Sequence, residues 1–175
     1  MTKGHAGWFV LSLAVGNVGV VNAQVNAADV SYVLTFEQAL DVYRAQHGLA
    51  QLERNADIER VASHHADYLE RLHSIKDNLL EATHGEYVRV EGAKALGGME
   101  ERFQYFGFYQ GYGECVALFE ERSLITPAVL LAEWQGSKPH DQLLRGRFTG
   151  YGLSVVHFER NGHVITVAVL TLTDR

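Results

Sequence analysis

Apolar residues recur at helical spacing in two segments of the first half of the chain. In the first, Phe36, Ala39, Leu40 and Tyr43 share one side of a helical period and Gly48 ends the pattern. Thr35, with Gln38 three residues on, has the spacing of a capping box, so a helix is predicted from Thr35, with residues 24–34 as a lead-in. In the second, Ile58, Val61, Ala62, His65, Leu69 and Leu72 make one continuous stripe behind Asn55, a capping residue. Residues 74–98 carry Gly85, Gly92, Gly97 and Gly98 and read as irregular, followed by a short helix over Met99–Tyr105. A strand is predicted over 112–119. Thr126-Pro127 opens a further helix through Val129, Leu130 and Trp134, and a short turn or helix covers His140–Leu144. Two β-rich runs, 150–158 and 163–173, flank Arg160-Asn161-Gly162, a strong hairpin signal. Helices come first and an antiparallel pair closes the chain, which predicts an α+β domain.

At the N-terminus the alternation disappears. Residues 8–21 are almost wholly apolar, follow Lys3 and lead to Val21-Asn22-Ala23. This run is shorter than the roughly 20 residues a membrane span needs and has the pattern of a signal peptide cut after Ala23. The expected compartment is therefore secreted, periplasmic or extracellular, with no membrane span in the mature chain; the competing reading is an uncleaved anchor or a buried helix. Removing residues 1–23 takes away one lysine and no acid, and moves the net charge from −6 to −7. The remaining 152 residues suit one domain, 35–175, after the lead-in. The acidic balance argues against nucleic acid as a partner. A single cysteine excludes an internal disulfide framework and any zinc site built on several thiolates.

Nine histidines raise the question of a metal. Three polar segments fall in loops or at element ends: Thr83-His84-Gly85, Gly113-Glu114-Cys115 and Trp134-x2-Ser137-x2-His140. Two imidazoles and a carboxylate brought to one cleft would suit zinc or another divalent ion; three unrelated surface residues is the plainer reading. Of the others, His65 sits on the apolar stripe and reads as a hydrogen-bonded core residue. His64 and His73 are placed on or near the polar side, exposed to solvent. His157 and His163 are expected to face each other across the hairpin, and His47 to end the first helix, where the dipole suits a cation. Cys115 invites a thiol nucleophile with His140 as base, but side chains alternate along a strand, so Cys115 points away if Glu114 faces the cleft. The aromatic run Phe103–Tyr112 suits core packing or the wall of a lipid groove.

Tyr43-Arg44-x3-Gly48-Leu49-x2-Leu52, Ala62-x2-His65-Ala66, His84-Gly85, Arg102, Gly107, Gly113-Glu114, Trp134-x2-Ser137-x2-His140 and Phe148-x3-Gly152 follow one another in order. This series resembles the CAP superfamily of cysteine-rich secretory proteins, antigen 5 and pathogenesis-related-1 (the SCP-like domain), in its bacterial form, over residues 36–172. The resemblance implies a three-layer α-β-α sandwich closed by a C-terminal antiparallel hairpin. It also implies a cleft of His84, Glu114 and His140 with Ser137 beside it, His84 and His140 being the metal ligands. Ser137 stands where many relatives carry a second glutamate, Cys115 where asparagine is usual, and Glu86 is a further acidic candidate. The implied function is binding of a lipid, glycan, other small molecule or protein partner. The alternatives are a metal-assisted hydrolase (peptidase or nuclease) with Glu114 as general base, and an interaction domain with an idle cleft.

Overall fold

The computed structural model describes residues 27–75 and 84–174. The N-terminal segment read as a signal peptide lies outside them. Helix α1 (Ala27–Gln46) is followed by β1 (Glu53–Arg54), α2 (Ala56–Ile75), α3 (Met99–Tyr105) and β2 (Tyr112–Glu121). Helices α4 (Pro127–Gly136) and α5 (Lys138–Leu144) and strands β3 (Gly150–Arg160) and β4 (His163–Thr173) complete the order. The strands form one sheet, ordered β1-β3-β4-β2, antiparallel except where β1 joins β3.

Two of the predicted starts hold in atomic detail. The Asn55 carboxamide oxygen accepts from the backbone N–H of Asp57 and Ile58 at the head of α2, and the Thr126 hydroxyl accepts from Val129 N–H at the head of α4. The first helix does not begin at Thr35. It begins at Ala27, and Thr35 lies inside it with its hydroxyl donating to the Ser31 carbonyl. The reason is packing: Val33 extends the Phe36, Leu40 and Tyr43 stripe one turn upstream, and Tyr32 and Val33 pack against the same core. The segment read as a lead-in is therefore helical from Ala27 onward. Strand β1 was not predicted, because two exposed charged residues carry no apolar alternation; its pairing rests on Glu53 N–H to Thr149 O and Asn55 N–H to Tyr151 O.

The layers follow from the two faces of the central strands. On β2, Cys115 and Ala117 face the core shared with α1, α4 and α5, which is filled by Phe36, Leu40, Leu130, Trp134 and Leu144. Val116 faces the opposite core, where Ala62, Ala66, Leu69 and Leu72 of α2 meet Ile165, Val167 and Val169 of β4. The result is the three-layer α-β-α sandwich. Helix α2 lies so close to β3 that a Cβ at Gly152 would sit 2.3 Å from the Glu59 backbone. Between β3 and β4, Asn161 and Gly162 both adopt positive φ (52° and 79°), as the tightest hairpin turns require. The register pairs His157 with Thr166 and His163 with Arg160, so the two histidines do not face each other. Instead, His157 Nδ1 is 2.9 Å from the Thr166 hydroxyl, and His163 approaches Glu120.

Candidate functional site

The sheet ends at its β2 edge in a cleft between the two helical layers. His84 comes from the loop before α3, Met99 from the start of α3, and Tyr112, Gly113 and Glu114 from the start of β2. Pro139, His140 and Leu143 come from α5, and together these residues line a cavity of about 320 Å³. The three segments singled out from the sequence thus converge: the His84 and His140 ring centroids lie 6.2 Å apart, and His84 Nδ1 is 3.1 Å from Glu114 Oε1. Ser137 is not part of the lining. It joins α4 to α5, its carbonyl accepting from Asp141 N–H, and its side chain makes no capping bond. Glu133 is exposed on α4, near enough to His140 to act on it through its charge.

Behind the cleft runs a buried polar chain. Arg102 Nη2 donates to both Glu114 oxygens, at 2.7 and 2.6 Å, and Nη1 donates to Glu86 Oε1 at 3.2 Å. Glu86 also accepts from His65 Nδ1 (2.9 Å), His64 Nε2 (3.1 Å) and Leu96 N–H (2.8 Å). The side chains of Arg102, Glu86, Glu114 and His65 are inaccessible to solvent, whereas His84 is half exposed. Burial pushes the Glu86 carboxyl up, but the His64 and His65 hydrogen bonds, the Arg102 charge and Leu96 N–H outweigh it and hold the group down at about 2. Glu114 is held low in the same way: burial is opposed by His84, His65 and Arg102. Burial and the neighbouring His84 depress His140, partly countered by Glu133.

The chain corrects several expectations. Glu86, the further acidic candidate, does not line the cleft; it is the hub that ties the loop before α3 to α2. His64 is not solvated: it reaches the same carboxylate as His65, because Glu86 offers one oxygen to each. His73 is buried, neither ring nitrogen is bonded to any of the described residues, and burial and Arg160 push it down to about 4. Cys115 behaves as strand alternation requires. It is fully buried in the core shared with α1, α4 and α5, its Sγ 4.0 Å from the His140 carbonyl, and burial and Glu114 push its thiol up to about 12. A thiolate nucleophile does not fit there. His65 and His47 stand where expected, His47 just beyond α1 with Nδ1 2.9 Å from the Tyr43 carbonyl.

Arg102 is the residue whose role the sequence did not disclose. A signal existed: it lies three residues after Met99 and four before Phe106, beside Phe103, on the inner side of a short helix where a cation needs buried acids. Arg44 is a second case. Buried in α1, it donates to the carbonyls of Ala50, Leu144 and Gly146 and so fastens the end of α5, the helix that carries His140.

The donor set decides what the cleft can hold. A carboxylate accepts but cannot donate, so His84 Nδ1 is the donor to Glu114. A carboxylate behind a histidine also orients metal-binding imidazoles. Yet Glu114 is occupied by Arg102, which leaves His84 and His140, fewer than the three protein ligands of catalytic zinc. Among the described residues no group of three or more His, Cys, Asp or Glu has metal-holding geometry. The residues present do not fit a metal with Glu114 as ligand.

This architecture, with a cleft between helical layers at a sheet edge, agrees with a sequence match. Residues 38–170 match the model of the Cysteine-rich secretory protein family, CAP, and the chain belongs to that family. Solved structures share the fold at low identity. An extracellular protein containing an SCP domain from Bacillus anthracis str. Ames is 18% identical, with a TM-score of 0.59, over 81% of this chain and 40% of that one. An outer surface protein from Borrelia burgdorferi is 15% identical, with a TM-score of 0.56, over 83% of this chain and 93% of that one. A cysteine-rich secretory protein from Staphylococcus aureus is 14% identical, with a TM-score of 0.51, over 83% of this chain and 39% of that one. The chain thus spans about two fifths of the length of the first and third of these. No curated protein sequence matches it. No helix among the described residues is long and apolar enough to cross a membrane.

Proposed function

We propose that this CAP domain is an exported ligand-binding module whose cleft receives the end of a small amphipathic molecule. The observation that carries the reading is the lining: Met99, Tyr112, Pro139 and Leu143 form apolar walls around one convergent polar group, His84, Glu114 and His140. Pockets for small ligands have this composition, and about 320 Å³ is at the small end of their range. Export is supported by the signal-peptide pattern at residues 1–23 and by neighbours described as extracellular or outer-surface proteins. A mature protein beginning at Gln24, found by mass spectrometry of natively purified material, is the expected result.

A metal-assisted hydrolase with Glu114 as general base is the weaker reading. A base works best with its pKa near the operating pH, and Glu114 is held low with both oxygens engaged by Arg102. The deciding experiment is isothermal titration with single-chain amphiphiles, comparing the parent with Leu143→Trp, which fills the cavity. Saturable binding that Leu143→Trp abolishes is expected. Absence of binding in the parent would refute the reading and leave the idle interaction domain.

A further inference from the structure

Among the described residues, the two walls of the cleft grade from polar to apolar in the same direction. Helix α5 runs antiparallel to β2 beside it: the His140 carbonyl lies 4.0 Å from Cys115 Sγ, and Leu143, nearly one turn on, reaches Gly113. One wall therefore passes from His140 to Leu143 and the other from Glu114 to Tyr112. At the apolar end the strand backbone is bare. A Cβ at Gly113 would sit 2.8 Å from Leu143 Cδ2 and 3.2 Å from Phe148 Cζ, so glycine is what lets these two side chains close on β2. Phe148 is not part of the lining; it packs beyond Leu143 and is held in turn by Gly146, where a Cβ would lie 2.5 Å from the ring. Both side chains also pack on the core shared with α1 and α4.

Resting on the amphiphile-binding reading above, we propose that Leu143, backed by Phe148 across the bare backbone of Gly113, is the closed end of the cleft and fixes the length of alkyl tail it accepts. The ligand class is a short-chain amphiphile. His140 and Leu143 are three residues apart on α5, roughly 4.5 Å along the helix axis, so the end wall stands close to the polar group. A methylene laid between them leaves water and contributes to binding. A methylene that runs past Leu143 has to turn back into solvent and contributes nothing.

The test is calorimetric titration of butanol, hexanol, octanol and decanol against the parent protein, Leu143→Ala and Gly113→Ala. Burying one methylene is worth about fourfold in affinity, and a two-carbon step therefore about fifteenfold. In the parent, affinity is expected to climb up to octanol and to gain nothing from octanol to decanol. Leu143→Ala removes an isopropyl group from the end wall, so there the octanol-to-decanol step is expected to gain up to about fifteenfold. Gly113→Ala turns the end of Leu143 into the cavity, and the hexanol-to-octanol gain is expected to vanish. Shifts of opposite sign do not follow from a general loss of stability. Leu143→Val carries the same prediction in smaller size should Leu143→Ala fail to fold. A parent whose affinity still climbs at decanol, or a limit that either folded variant leaves in place, would overturn the assignment of the end wall and leave the amphiphile-binding cleft standing. If no member of the series binds the parent, both fall.

Discussion

Removing the Arg102 guanidinium tests the buried chain directly. Arg102→Met keeps most of the side-chain volume and helix propensity of α3 but deletes three charge-assisted hydrogen bonds, to Glu86 and to both oxygens of Glu114. Two inaccessible carboxylates then face each other's field without their common cation. Breaking a buried ion pair by removing one partner costs about 3–5 kcal/mol, a large part of the roughly 5–15 kcal/mol that holds a domain folded. Urea unfolding at neutral pH, followed through the fully buried Trp134 and by circular dichroism, should show a midpoint lowered accordingly. Arg102→Met combined with Glu114→Gln should recover part of the loss, because Glu86 keeps its His64, His65 and Leu96 donors. Acid unfolding supplies an independent sign. Glu86 is depressed from 4.5 to about 2, so its stabilising contribution is complete above about pH 4.5 and is lost as the pH falls towards 2. Without Arg102 the folded-state value rises and acid unfolding begins at a higher pH. A single variant within about 1 kcal/mol of the parent, or a double variant no more stable than the single, would refute the reasoning.

Other sites give sharper single readouts. Gly152→Ala places a methyl against the Glu59 backbone and must push α2 off the sheet; a loss of about 1–3 kcal/mol in thermal or urea unfolding is expected, with no recovery from trimming the Glu59 side chain. His73 is lowered from 6.5 to about 4, so its neutral burial is tolerated above pH 6.5 and destabilises progressively as the pH falls towards 4; His73→Leu should flatten the dependence of melting temperature on pH in that window. Zinc titration by calorimetry is expected to show no stoichiometric uptake at micromolar protein, since Arg102 withholds Glu114; tight binding lost in both His84→Ala and His140→Ala would contradict the donor count.

The elements were legible wherever the determinant is local. Asn55 and Thr126 announce helix starts because the atoms that cap are two or three residues from the groups they satisfy. Asn161-Gly162 announces the hairpin because few residues adopt positive φ at both positions. The stripe from Ile58 to Leu72 gives α2 its buried face, and alternation alone sends Cys115 away from Glu114. The order of short motifs pointed to His84, Glu114 and His140 as one cleft, and these residues do line one cavity.

What depends on residues far apart in the chain was decided by tertiary structure alone. Thr35 has the chemistry of a cap, yet the core packing of Tyr32 and Val33 carries α1 through it to Ala27. Strand β1 exists only because β3 offers it a parallel edge. His64 looks like a surface residue in a linear pattern; its pairing comes from a loop that folds Glu86 back onto α2. Above all, a sequence shows that Glu114 is a carboxylate but not what has already taken its lone pairs. Arg102 takes them, 12 residues away and on another element. That contact engages both Glu114 oxygens from behind the cleft, because buried charges must be satisfied by whatever the fold brings beside them.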